Sequence, residues 1–144
     1  MMYRIACDHR DAIGGRYGGG DQPLVYLLTT TQAVIEAGLA WAATDGNAAN
    51  ATTEFTSDPA TLEGIVDWQL MKAERWSNTQ DDPDRQRRRM AEFLIHDRVP
   101  TVLLRWLAVY GERQVSQLRE QLDDQRLVDR IIVRPHWYYG YERR

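Results

Sequence analysis

Apolar positions along the chain fall in short runs separated by turn residues, and the spacing within each run predicts its element. Tyr3 to Cys7 reads as a short strand, and Leu24-Val25-Tyr26-Leu27-Leu28-Thr29 as a buried one, being compact, aromatic and partly β-branched. Thr30 or Thr31 is placed to cap a helix over Gln32 to Ala37, with Gly38 at its C-terminal stop. Leu39 to Ala43 returns as extended chain, and Asp45-Gly46-Asn47 is a turn signature. Short helices are expected from Ala48 to Phe55 and from Pro59 to Ile65. Periodicity then fades between Val66 and Asp84, which reads as a long loop ordered in part by Trp68, Met71 and Trp76. Ala91 to Ile95 alternates as a strand, so that Phe93 and Ile95 share one side and Glu92 and Leu94 the other. Pro100 ends that piece and Arg105 to Val109 forms another strand. From Glu112 to Asp124, Val115, Leu118 and Leu122 recur at helical spacing against a charged face, which makes this the clearest helix. Ile131-Ile132-Val133 is a last strand, and the rings of His136 to Tyr141 are expected to pack against the body. Short strands mixed with short helices indicate an α+β fold in a single domain over residues 1–144.

Composition narrows the classes. At 144 residues, with 43% hydrophobic and 27% charged residues, the chain has the make-up of one soluble globular core. Its longest apolar runs fall well short of the roughly 20 residues a membrane helix needs, so no membrane association is expected. Met1 to Asp8 lacks a signal-peptide pattern. A single cysteine, Cys7, cannot form an internal disulfide, and a reducing cytoplasm is the expected compartment. The segment Ile13 to Gly20 is a glycine-rich loop, yet it carries neither a dinucleotide fingerprint nor a Walker lysine. A net charge of −3 does not advertise nucleic-acid binding. The local distribution is more informative: Arg85, Arg87, Arg88 and Arg89 follow directly on Asp81-Asp82-Pro83-Asp84.

Most catalytic constellations are absent. No serine occupies a nucleophile elbow, and His9, His96 and His136 lack ligand spacing, so no metal is expected. Asp81, Asp82 and Asp84 lack the glycine and terminal glutamate of a calcium loop and read as a solvated turn. Glu92 remains. As a residue pattern it fits either a surface carboxylate beside an arginine cluster or a reacting group. The arginines fit ion pairs as well as phosphate contacts, and Trp68 and Trp76 fit core packing as well as base stacking.

Several blocks, in order, resemble the DarT family of DNA ADP-ribosyltransferases. They are Gly18-Gly19-Gly20-Asp21-Gln22-Pro23-Leu24-Val25-Tyr26-Leu27, Thr44-Asp45-Gly46-Asn47-Ala48-Ala49, Val66-Asp67-Trp68 through Trp76, and Asp82-Pro83-Asp84-Arg85 through His96. Arg134-Pro135-His136-Trp137-Tyr138-Tyr139 fits the family's end, so the match covers nearly the whole chain. The resemblance implies an ADP-ribosyltransferase-like split mixed β-sheet with short helices. It also implies a toxin of a toxin–antitoxin system that transfers ADP-ribose from NAD to thymine in single-stranded DNA, a glycosyltransferase reaction reversed by a macrodomain antitoxin. The family's strand-borne catalytic glutamate falls on Glu92. Asn47, where many relatives have histidine, falls beside the site as a cofactor-binding residue. The substrate-recognition loop falls on roughly Asp67 to Arg89, with Arg75, Trp76, Arg85, Arg87, Arg88 and Arg89 as nucleic-acid-binding residues.

On the family pattern the chain starts inside a strand, N-terminally incomplete, and an absent segment would supply part of the NAD cleft. A misplaced start, a gene fragment and a short binding form are the three readings of that beginning. Little or no transferase activity is expected of the polypeptide alone. A non-catalytic nucleic-acid-binding or interaction module on the same fold is the alternative function, and a transferase acting on RNA or protein is a third.

Overall fold

The computed structural model describes residues 21–138. The expected strand at Tyr3 to Cys7, the loop at Ile13 to Gly20, and Tyr139 to Tyr141 lie outside them. In chain order the described elements are β1 (Tyr26–Leu28), α1 (Thr31–Glu36), β2 (Trp41–Thr44), β3 (Phe55–Thr56), α2 (Leu62–Ile65), α3 (Trp68–Lys72), α4 (Arg85–Arg88), β4 (Phe93–Ile95), β5 (Trp106–Val109), α5 (Glu112–Gln121), α6 (Gln125–Val128) and β6 (Ile131–Val133). Short strands and helices are mixed along the chain, as expected of an α+β protein. They divide into two compact units, residues 31–99 and residues 1–30 with 100–144.

The unit formed by the chain ends holds a three-stranded mixed sheet of order β1-β5-β6. β1 runs antiparallel to β5, with Leu27 opposite Leu107, and β6 runs parallel to β5, with Ile131 opposite Leu107. Parallel neighbours need a crossover, which α5 and α6 supply. Leu104, Leu107 and Leu127 are buried together, and Leu118, Leu122 and Ile131 pack on them. The apolar stripe read in the sequence thus faces this core. The helix stops at Gln121, short of the expected Asp124, because Asp124 is the cap of α6: its Oδ1 accepts the Arg126 N–H at 3.0 Å. The ring cluster also exists. Tyr138 is buried, meeting Tyr26 and Tyr110 edge-on with centroids 5.3 and 5.4 Å apart.

The middle unit is built on an antiparallel sheet of order β3-β2-β4, with β2 at its centre. α1 buries Ala33 and Val34. It ends in a Schellman turn, in which Gly38 donates to the Ile35 carbonyl and Leu39 to that of Val34 while Gly38 sits at φ +67°. A Cβ there would be strained, which is why glycine marks the stop. No helix forms from Ala48 to Phe55. Two tight turns replace it: Asn50 Oδ1 accepts the Thr52 N–H, Thr53 Oγ1 donates to the Asn47 carbonyl, and Phe55 then joins β3. Asparagine and threonine side chains here outcompete helical hydrogen bonding. The expected helix from Pro59 splits into a 3₁₀ turn, Pro59–Thr61, capped by Asp58, and α2. Within the long loop α3 stands on an Asp67 cap and buries Leu70, and the arginine cluster forms a helical turn, α4.

Candidate active site

Glu92 lies one residue before β4, at the point where the sheet opens. The ladder continues to it, since Thr44 N–H donates to the Glu92 carbonyl at 2.9 Å. The fully buried Thr44 hydroxyl accepts the Glu92 N–H at 2.9 Å and donates to the Gly46 carbonyl at 2.6 Å. One hydroxyl therefore ties the strand before the turn to the strand bearing the carboxylate.

The turn in its own right holds the carboxylate. Ala48 N–H donates to Glu92 Oε2 at 2.8 Å, and Asn47 Nδ2 lies 3.5 Å from Oε1. Asn47 Oδ1 accepts the Ala49 N–H at 3.0 Å, which turns its amide nitrogen toward Glu92. Glu92 forms part of the wall of a cleft of about 720 Å³, whose lining includes Ile35 of α1, Leu62 of α2, Trp68 and Met71 of α3, and Phe93. Sites for small molecules and cofactors commonly occupy clefts of this size, with a few fixed polar groups in an apolar lining.

The arginines divide by partner. Arg87 forks onto Asp84, with Nε 2.9 Å from Oδ1 and Nη2 2.8 Å from Oδ2, and its Nη1 lies 2.8 Å from Asp45 Oδ2. Hydrogen bonding to Asp84 and then to Asp45 holds its pKa above the usual arginine value, while Arg87 holds the Asp84 carboxyl below the carboxylate range. Arg88 forks onto Asp82, with Nη2 2.7 Å from Oδ2, and its Nη2 lies 3.3 Å from Asp67 Oδ2. Arg89 directs Nη1 to the Met71 sulfur at 3.1 Å. Arg85 Nη2 donates to the Arg75 carbonyl at 2.8 Å, and Arg75, Trp76 and Arg85 line a second concavity of about 440 Å³. Trp76 is exposed there. Trp68, equally exposed, lines the Glu92 cleft and donates its indole N–H to the Glu63 carbonyl at 3.0 Å.

The structure thus brings Glu92 and Asn47 together, gathers Arg75, Trp76 and Arg85 elsewhere in the same unit, and sets Arg87 and Arg88 among carboxylates. Three contributors were not read from the sequence: the Ala48 N–H, the Thr44 hydroxyl and the Asp45 carboxylate. A backbone donor leaves no mark on residue identity, whereas Thr44 and Asp45, just before Gly46, were legible as turn-forming side chains.

Gly46 has little room. A Cβ there would stand 2.9 Å from Arg87 Nη1, 3.1 Å from its Cγ and 3.2 Å from Thr53 Oγ1. The guanidinium is held on two sides and cannot swing away freely. Gly46→Ala is expected to destabilise this unit by about 1–3 kcal/mol, the usual range for overpacking. Urea titration of the variant measures the loss, and an unchanged midpoint would show that Arg87 is free to move.

The architecture has solved counterparts. DarT of Thermus sp. 2.9 in complex with NAD+ superposes with a TM-score of 0.74 at 28% identity, over 86% of this chain and 62% of that one. The same protein in complex with ADP-ribosylated single-stranded DNA gives a TM-score of 0.74 at 28% identity, over 86% and 58%. These likenesses define an α+β ADP-ribosyltransferase-like fold. The family model for ssDNA thymidine ADP-ribosyltransferase, DarT, matches residues 1–139, and the chain belongs to that family. It is 39% identical over 139 residues to the DNA ADP-ribosyl transferase of Mycobacterium tuberculosis (strain ATCC 25618 / H37Rv). That alignment covers 96% of this chain and 58% of the relative's length. Among the described residues, no helix is long and apolar enough to cross a membrane.

Proposed function

We propose that this chain transfers ADP-ribose from NAD to thymine bases of single-stranded DNA, with Glu92 as the catalytic residue. The observation that carries the reading is a carboxylate fixed by a backbone N–H, with an asparagine amide beside it, on the wall of a cleft large enough for a nucleotide. The family relationship supports the same reaction. NAD supplies an ADP-ribosyl group on a glycosidic bond whose cleavage builds positive charge on the ribose. A carboxylate held in advance stabilises such charge without reorganising during the reaction. Glu92 also accepts a hydrogen bond from a ribose hydroxyl and helps to take the proton that thymine nitrogen loses when the new bond forms. Asn47 contacts the same ribose from the turn.

Arg75, Trp76 and Arg85 receive the DNA strand. Trp76 offers an exposed face for base stacking, and the guanidinium groups offer donors for phosphate. Arg88, paired with Asp82 and Asp67, and Arg89, directed at the Met71 sulfur, are further candidates for phosphate contact. In the cell the modification acts as a toxin, and a macrodomain antitoxin removes it.

Labelled NAD offered with single strands that contain or lack thymine tests this reading. Label is expected on the thymine-containing strand alone, and even slight transfer decides the matter. Label on a thymine-free strand, or on protein, overturns the assignment of substrate. Salt-dependent strand binding without release of nicotinamide replaces the enzyme with a binding module.

A further inference from the structure

Arg87 does more than neutralise its neighbours. Its guanidinium joins two parts of the middle unit: α4, through the fork on Asp84, and the turn after β2, through Asp45. The other oxygen of Asp45, Oδ1, accepts the Glu54 N–H at 2.8 Å, so this carboxylate closes both ends of the loop between β2 and β3. The guanidinium lies against Gly46, where the absence of a side chain permits the approach. Two residues further on stands Ala48, whose N–H holds Glu92. Nε and Nη2 of Arg87 donate to Asp84, and Nη1 is ion-paired with Asp45 at 2.8 Å. A phosphate would have to displace one of those carboxylates to bind in the same fork geometry.

We propose that Arg87 is a positioning residue, which pins the Asp45-Gly46-Asn47 turn from α4 and thereby sets the Ala48 N–H that orients the Glu92 carboxylate. The inference rests on the reading of Glu92 as the reacting group. It separates Arg87 from the arginines that face the DNA strand, and it links the loop that recognises substrate to the carboxylate that acts on it. Lysine cannot replace the fork, since a single ammonium has no planar pair of edges with which to hold Asp84 and Asp45 together.

Arg87→Lys and Asp45→Asn in the full chain test the inference. Each is expected to lower kcat by roughly 10- to 100-fold, as small misplacements of reacting groups do. KM for the oligonucleotide and the salt dependence of strand binding should stay as in the parent. The double variant should be no worse than either single one, because both break the same link. Amide hydrogen exchange gives a readout that needs no turnover: Ala48 should lose protection in both variants while α5 keeps its own. A raised KM with unchanged kcat, and a salt slope shallower by about 0.7 in magnitude, would make Arg87 a phosphate ligand and overturn the proposal. Unaltered exchange at Ala48 would overturn it too, whatever the activity. Absence of transfer by the parent chain counts against the proposed function instead, and the exchange measurement still decides the role of Arg87.

Discussion

Glu92→Gln is expected to lower ADP-ribosyl transfer by roughly 10²- to 10³-fold, the cost of removing one preorganised electrostatic group. Glutamine is the informative replacement because it preserves shape. Its side-chain oxygen can still accept the Ala48 N–H that now meets Oε2 at 2.8 Å. At residue 92 the Thr44 hydroxyl meets the backbone and not the side chain, so its bonds are untouched. What disappears is the negative charge that, in the proposed reaction, answers the positive charge developing on the ribose. The loss should fall on kcat with little change in the KM for the oligonucleotide. Glu92→Asp provides the complement, keeping the charge but withdrawing it by one methylene from the Ala48 donor, and it should be impaired as well. Thermal melting of both variants should track the parent. Undiminished transfer by Glu92→Gln would move the chemistry to another group.

The second large effect concerns stability. Tyr138→Ala is expected to cost about 3–5 kcal/mol in the unit formed by the chain ends, the range for truncating a buried aromatic side chain. Tyr138 is 3% exposed and fills the space between Tyr26 and Tyr110. Its hydroxyl lies 2.7 Å from the Leu24 carbonyl and 3.1 Å from that of Ala108 on β5, so it joins the segment leading into β1 to the central strand. Tyr138→Phe keeps the ring and removes only that link, at a cost of about 1–2 kcal/mol. Chemical denaturation followed by the near-ultraviolet signal of the tyrosines measures both.

The same hydroxyl gives a pH signature. Burial above all, then Tyr26 and Asp21, push the phenol from 10.0 up to about 12. The unfolded chain therefore releases this proton before the folded chain does. The stabilising contribution is complete below pH 10.0 and is lost as pH rises toward about 12. Tyr138→Phe should flatten that part of the stability curve, and an unchanged alkaline limb would assign it to other groups.

Periodic features were legible in the sequence because burial imposes a period. Leu118 and Leu122 pack on the core and Val115 is buried, as their spacing required, and Gly38 stops α1 in the left-handed conformation that glycine accommodates. Asp45-Gly46-Asn47 does form a turn, and Glu92 does stand beside it. Features made by side chains that compete with the backbone were less legible. The run from Ala48 to Phe55 has helical length but is rich in asparagine and threonine, and their local hydrogen bonds win.

The arginine cluster was ambiguous for a different reason. The pairing of Asp84 with Arg87 has helical i,i+3 spacing and was visible in principle. Asp45 with Arg87 and Asp67 with Arg88 depend on how the chain returns, and nothing periodic announces that. The concave surface around Glu92 likewise comes from α1, α2 and α3 converging, so residue identities pointed to a carboxylate without showing what surrounds it.

The segment between α3 and β4 is largely fastened to itself: Arg88 to Asp82, Arg85 to the Arg75 backbone, and the Asp82 N–H to Thr79. Such a segment is exchangeable. If the proposed function holds, transplanting a relative's equivalent is expected to change which bases flank the modified thymine, with β2 and its turn as the fixed bench. The graft must still bring an arginine to position 87, because the ion pair with Asp45 is where that segment meets the turn after β2.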